Sequence, residues 1–197
     1  MQKGKRTREL IIGAAIKVIA EVGSDNASIL EITRVAKVGN GTFYYHFKNK
    51  EEILAAIGET VTKNMVDSYE VDLASAHEDP AMLIAKSTKG MLLKCSEDPV
   101  WAEVIIDALG LRDQTPIFLR SYNKNLIPHI EYGISKNRFD TQLSEDLVEL
   151  IQSINRTALI MIMEGENKKQ SIIRAIEAKL RILGVQPTEA REIAQSV

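Results

Sequence analysis

Cysteine is nearly missing. One residue, Cys95, in a chain of 197 excludes an internal disulfide framework and a cysteine-based zinc site, since each needs at least a pair. Long apolar runs are missing too. No stretch reaches the roughly 18 apolar residues that a membrane-spanning helix requires, so no membrane partner is expected. The opening MQKGKRTREL is basic but lacks an uninterrupted apolar core and a small-residue cleavage site, which argues against a secretory signal and for a cytoplasmic location. Strand-like alternation, repeats and low-complexity tracts are all absent. Catalytic signatures are absent as well: there are no paired carboxylates within helical reach, no nucleophile–base set, no phosphate-cradling glycine loop and no cofactor motif. His77 and His129 have no second ligand at metal spacing. An enzyme, a cofactor and a metal are therefore not expected.

What remains is helical spacing nearly throughout. A first helix is expected over about 7–22. There Leu10, Ile11, Ala14, Ala15, Val18, Ile19 and Val22 recur at three and four, and Gly23 stops it. Ser28-Ile29-Leu30-Glu31 forms a capping box that opens a short second helix fading near Lys37. A very short third helix covers Asn40 to His46. Asn49 caps a fourth, running without a linker to about Tyr69. Asp79-Pro80, Asp98-Pro99 and Thr115-Pro116 each place a capping residue before a helix-starting proline. They predict helices near 80–95, 99–111 and 116–137, the last kinked at Pro128. Further helices are expected over 144–164 and 168–183, with a short, frayed tail helix opening at Pro187. The fold class is all-α: a three-helix N-terminal head, 1–48, joined by a continuous helix to a larger helical body, 49–197.

Charge and aromatics both concentrate in the head. Residues 1–50 carry nine Lys/Arg and four Asp/Glu, a balance of +5, while the remainder sums to −7. A basic head on an acidic body suits a polyanionic partner. The chain has only ten aromatic residues, and four of them fall in GNGTFYYHF, residues 39–47. Phe43 and Phe47 are four apart and share a helix face. With Ile32, Val35, Ala36 and Val38 they form a small core that holds a helix too short to stand alone. Thr42, Tyr44, Tyr45 and His46 fan outward, where phenols reach phosphates and rings lie along a groove wall. Gly39 suits the tight turn into this helix, and Gly41 removes bulk where backbone approaches DNA. Lys48 and Lys50 flank a helix start whose amides suit a phosphate. Three short helices with the third exposed form a helix-turn-helix unit.

The stretch SILEITRVAKVGNGTFYYHFKNKEEIL resembles the DNA-binding signature of TetR-type transcriptional regulators, most closely in GTFYYHFKNKEEIL. The resemblance covers about residues 7–60. It implies that Ser28 contacts phosphate, that Asn40, Gly41, Thr42 and Tyr45 lie along the major groove, and that Tyr44 and Lys50 clamp phosphates with His46 close by. Thr7 or Arg8 would touch the backbone from the first helix. Lys37 stands where a turn glycine is common, Gly39 where a serine cap is common, and Asn40 where lysine is common. Asn pairs bidentately with adenine, which points to an A·T pair opposite Asn40.

In the body, Leu147, Ile151, Ile154, Ala158 and Ile162 form one stripe, widened by Leu150, Leu159 and Met161. Ile172, Ile173, Ile176, Leu180 and Leu183 form another. Two wide stripes on neighbouring helices fit either an interior pair in a monomer or a shared bundle. The resemblance implies the bundle, with Leu147, Ile151, Ile154, Ala158, Ile162, Ile172, Ile176 and Leu180 at a homodimer interface. It also implies an effector pocket, for which Met91, Cys95, Trp101, Ile105, Phe118, Tyr122 and His129 are candidates, each also suited to plain core. The expected function is a ligand-responsive regulator that binds a palindromic double-stranded DNA operator as a dimer, most often as a repressor, and is released by a small molecule. The alternative is a helical regulator or adaptor whose body binds a protein partner, with no small-molecule effector.

Overall fold

The structure, a computed structural model, describes residues 2–66, 79–108 and 126–197. Those residues form helices and no strand: α1 (Gln2–Asn26), α2 (Ile29–Ala36), α3 (Asn40–His46), α4 (Lys50–Val66), α5 (Pro80–Cys95), α6 (Pro99–Ala108), α7 (126–135), α8 (Glu145–Met163), α9 (Lys168–Ile182) and α10 (Pro187–Ser196). The all-α class is as expected from the periodicity. The ends expected for α4 and α6, the first part of the helix expected at 116–137 and the kink at Pro128 lie outside the described residues or at their edge.

The chain divides into two compact units. The first holds residues 1–62 and 99–122. Its helices follow from local signals. α1 breaks at Gly23, whose φ of 79° lies in the left-handed region, so the helix proper ends where the glycine predicts. The Ser28 hydroxyl accepts the Glu31 amide at 3.1 Å, giving one half of the capping box; the Glu31 carboxylate turns instead to Arg34, at 3.3 Å. Asn49 Oδ1 accepts the Glu52 amide at 2.9 Å, and Glu52 Oε2 accepts the Lys48 amide at 2.6 Å. α1 packs on α2 and on α6, and α2 on α3. Ile11, Ala15, Ile32, Phe43, Phe47, Ile53 and Ile57 are all buried. At roughly 25 cal/mol per Å² of apolar surface, the two phenylalanines alone stabilise this unit by several kcal/mol.

Three expectations need correcting here. Leu10 and Val22, placed on the core stripe of α1, are exposed, and Ile12 and Ile16 take the inward positions. Val35 is exposed, and Thr33 replaces it on the buried face of α2. Gly39 has an ordinary φ of −77°. The turn is made two residues earlier by Lys37, at φ 54°, ψ 42°. Its amide bonds Arg34 O at 3.2 Å, and the Val38 amide bonds Thr33 O at 3.0 Å. This is a Schellman ending with a lysine in the left-handed seat that glycine usually fills.

The second unit holds residues 63–98 and 123–197. α9 packs against α5, α8 and α10, and α8 also meets α5. Asp79 caps α5, accepting the Ala81 amide at 3.1 Å. Arg138 ties three elements together. Its Nε and Nη2 donate to Asp79 at 2.7 and 3.0 Å, and Nη2 and Nη1 donate to Glu189 at 2.7 and 3.3 Å. α10 is therefore docked rather than frayed, and its Ala190 and Ala194 are fully buried. Gly184 ends α9 at φ 87°, and a Cβ there would come within 2.7 Å of Asp140 O. Only glycine fits, because both the backbone angle and the close approach forbid a side chain.

Candidate nucleic-acid interface

α3 is seven residues long, below the length at which an isolated helix is stable, and owes its place to packing. Phe43 and Phe47 face inward at 0% and 1% exposure, and Tyr44 and Tyr45 face outward at 57% and 82%. The outward rings are braced. Tyr44 stands edge-on to Phe43 with centroids 5.5 Å apart, and Tyr45 edge-on to His46 at 5.0 Å. Thr42 and His46 are half-buried, and Asn40 and Gly41 are exposed. A Cβ built on Gly41 meets nothing within 4 Å, so the helix start presents open backbone.

Two cations sit on the elements next to α3. The Arg8 guanidinium lies over the Phe47 ring, 5.0 Å from its centroid, placing a charge of α1 beside the end of α3. Lys50 Nζ donates to Asp25 O at 3.0 Å, joining the first turn of α4 to the end of α1. Ser28 is exposed; its oxygen serves the helix cap, and its hydroxyl hydrogen suits an outside acceptor. The amides expected to offer a phosphate site at the start of α4 are partly spoken for, since Glu52 holds that of Lys48 and Asn49 that of Glu52.

One member of this surface escaped the sequence reading. Thr33, 3% exposed, sits beneath Asn40: its Oγ1 donates to Leu30 O at 2.9 Å and lies 3.0 Å from Asn40 Oδ1. The signal was a polar residue on the apolar face made by Ile29, Ile32 and Ala36.

The pocket candidates are not brought into one unit. Met91, Cys95 and His129 are buried in the second unit, Ile105 is buried and Trp101 half-buried in the first, and Phe118 and Tyr122 lie outside the described residues. Burial pushes the Cys95 thiol up to about 12, which leaves it inert at neutral pH. Burial also lowers the His129 pKa, and its Nε2 has no hydrogen-bond partner among the described residues. α9 holds a lysine that the sequence reading passed over. Lys179, 2% exposed, donates from Nζ to Thr88 Oγ1 at 3.0 Å, and burial pushes its pKa down to about 7.

The interface candidates are largely taken up within the single chain. Leu147, Ile151, Ala158, Ile162, Ile172, Ile176 and Leu180 are all buried within a single chain, where α8 and α9 pack on each other and on α5; Ile154 alone is half-buried. The apolar side chains that α8 and α9 turn outward include Leu150 and Ile182, at 54% and 37% exposure, with Ile154, Ile160, Met161, Met163 and Ile173 half-exposed.

A short recognition-type helix, anchored by two rings and flanked by cations, defines a helix-turn-helix protein of all-α architecture. Residues 11–57 match the model of bacterial regulatory proteins of the tetR family. The chain is 38% identical over 88 residues to the fatty acid metabolism regulator protein of Bacillus subtilis (strain 168), covering 43% of this chain and 45% of that protein. It is 32% identical over 96 residues to the HTH-type regulator YvdT of the same organism, covering 44% of this chain and 50% of that one. The matched stretch thus spans about half the length of these curated relatives. Among solved structures, RolR in complex with resorcinol is similar along 100% of this chain and 96% of its own, with 28% identity and a TM-score of 0.73. FadR from Bacillus subtilis with stearoyl-CoA shares the fold, with 22% identity, 91% and 98% coverage and a TM-score of 0.67. Over residues 11–57 the chain thus carries the DNA-binding segment typical of the tetR family, and it resembles that family's fold along its length.

Proposed function

We propose that the chain is a transcriptional regulator, most simply a repressor, whose head (1–48) binds a palindromic operator and whose body (49–197) dimerises and takes a small-molecule effector. The observation that carries the reading is the outward pair Tyr44 and Tyr45 on a helix pinned from behind by Phe43 and Phe47. Exposed rings are costly on a surface with no partner, and the same unit carries Arg8 over the Phe47 ring and Lys50 on the end of α1, both of which suit phosphates. Tyr44, Lys50, Ser28 and His46 serve the backbone; Asn40, Gly41, Thr42 and Tyr45 face bases. The division into head and body is one of role.

Dimerisation uses the outward faces of α8 and α9, centred on Leu150, Ile154 and Met161, which recur at four and seven along α8. Two copies then present two α3 helices to successive major-groove faces. That RolR, a similar chain, was solved in complex with resorcinol supports a small-molecule effector here. Effector and DNA would weaken each other by the same factor, because linkage is reciprocal. The protein works where DNA is, in the cytoplasm.

The test is selection of bound duplexes from a random pool, followed by titration of the winner at several salt concentrations. A palindromic winner whose affinity falls steeply with salt is expected. Selection of nothing, or a flat salt response, overturns the reading.

A further inference from the structure

We propose that the opening turns of α1 add a phosphate grip to the head: Lys5, on the same side of the helix as Arg8, holds one backbone phosphate of the duplex at the Phe47 end of α3. The inference rests on the DNA-binding reading above and extends it to a segment ahead of the matched residues 11–57. α1 is helical from Gln2, yet among the described residues its first buried side chain is Ile11. Its opening turns therefore outrun the core, and residues 4–10 are exposed apart from a half-buried Thr7. Such turns gain little from packing. Lys5, Arg6 and Arg8 put three cations within four residues, and the first turn of α1 has no acid. Cations near the start of a helix are repelled by its positive end, so these charges do not serve α1 itself. Neither Lys5 nor Arg6 forms an ion pair among the described residues.

Arg8 supplies the direction. Its guanidinium lies over the ring of Phe47, the residue that ends α3. That contact holds the Arg8 side of α1 against the close of the reading helix. Residues three apart share a helix face, so Lys5 stands one turn further out on that side. Arg6, two residues from Arg8, turns to another side. A phosphate accepts hydrogen bonds from a guanidinium fork and from an ammonium, and Arg8 and Lys5 offer one of each. Phosphate contacts fix register and carry no sequence information, so Lys5 sets affinity and salt dependence and leaves base preference alone.

The experiment is phosphate-ethylation interference on the selected duplex, with affinity measured at several salt concentrations. It compares the full-length chain with Lys5→Gln, Lys5→Arg and Arg6→Gln. In the wild type, ethylation should block binding at a symmetric set of phosphates. Lys5→Gln should lose the block at one phosphate per half-site, and its affinity should fall with salt less steeply, by a slope of about 0.9 for each half-site bound. Lys5→Arg should keep that block. Arg6→Gln removes the same charge one residue away and should keep every block. Selected base frequencies should be alike in all four chains. A Lys5 that only supported α1 would weaken every contact together and spare no phosphate in particular. An unchanged block pattern in Lys5→Gln, or the same loss in Arg6→Gln, overturns this inference and leaves the DNA-binding reading standing. A wild-type chain that selects no duplex overturns both.

Discussion

Replacing Lys179 with methionine should stabilise the protein, and by an amount that depends on pH. Lys179 is wholly buried, and among the described residues it forms no ion pair; Thr88 Oγ1 is its hydrogen-bond partner. Burial lowers its pKa from 10.5 to about 7. Between those values the unfolded chain holds a proton that the folded chain does not, so stability rises with pH across the window. The penalty is complete below the folded pKa and vanishes above 10.5. At about 1.4 kcal/mol per pH unit it amounts to roughly 4 kcal/mol at pH 7 and roughly 2 kcal/mol at pH 9. Methionine removes it while filling a similar shape. It also leaves the Thr88 hydroxyl without its partner, which costs about 1 kcal/mol at either pH. The net gain should therefore be about 3 kcal/mol at pH 7 and about 1 kcal/mol at pH 9. Urea unfolding of both chains, at one protein concentration and both pH values, measures this. An equal gain at the two pH values, or a loss at pH 7, would refute the reasoning.

Other perturbations should read as follows. Lys37→Gly removes a side chain from a left-handed seat and should stabilise the protein by about 1 kcal/mol in urea unfolding, with the fold unchanged by circular dichroism. If Tyr44 contacts phosphate as proposed, Tyr44→Phe should weaken binding about tenfold on every duplex alike, as seen by fluorescence anisotropy. Arg138→Ala unties α5 from α10; its partners are part-exposed, so after solvent screening the loss should be about 1 kcal/mol at pH 7. Asp79 has a lowered pKa, burial acting upward and being outweighed by the Arg138 hydrogen bond and the Ala81 amide. The stability from that carboxylate is thus present above the usual carboxylate range and fades as pH falls through its folded pKa, so the Arg138→Ala deficit should shrink in acid.

The helical architecture was legible because it is written in local chemistry. Ser28, Asn49, Asp79, Ser144 and Asn167 each accept an amide two or three residues on, and helices begin there. The ring pattern of α3 was legible for a related reason: a spacing of four fixes a face whatever it packs against. What the sequence hid was three-dimensional. On α8 and α9 the apolar positions nearly circle the helix, so periodicity does not say which face meets α5 and which meets solvent. Leu147 and Ile151 turned inward, and Leu150 outward. Lys179 reads as a solvated lysine until the packing of α9 on α5 encloses it. Lys37 stands where a turn glycine is common, but only the backbone angle shows that the lysine itself takes the left-handed seat. Thr33 needed the fold to bring Asn40 above it.

Whether α3 lies in the major groove is most directly read by cutting DNA from beside it. Lys48 is exposed just past the end of α3, so Lys48→Cys offers a reachable thiol beside the reading helix, while Cys95 is buried and its thiol is pushed up to about 12. An iron–EDTA group on the substituted position 48, bound to the selected duplex, should cleave at two symmetric clusters one within each half-site, offset across the major groove. Cleavage outside the half-sites, or no more than free reagent gives while the complex stays intact, would contradict an α3 that reads bases.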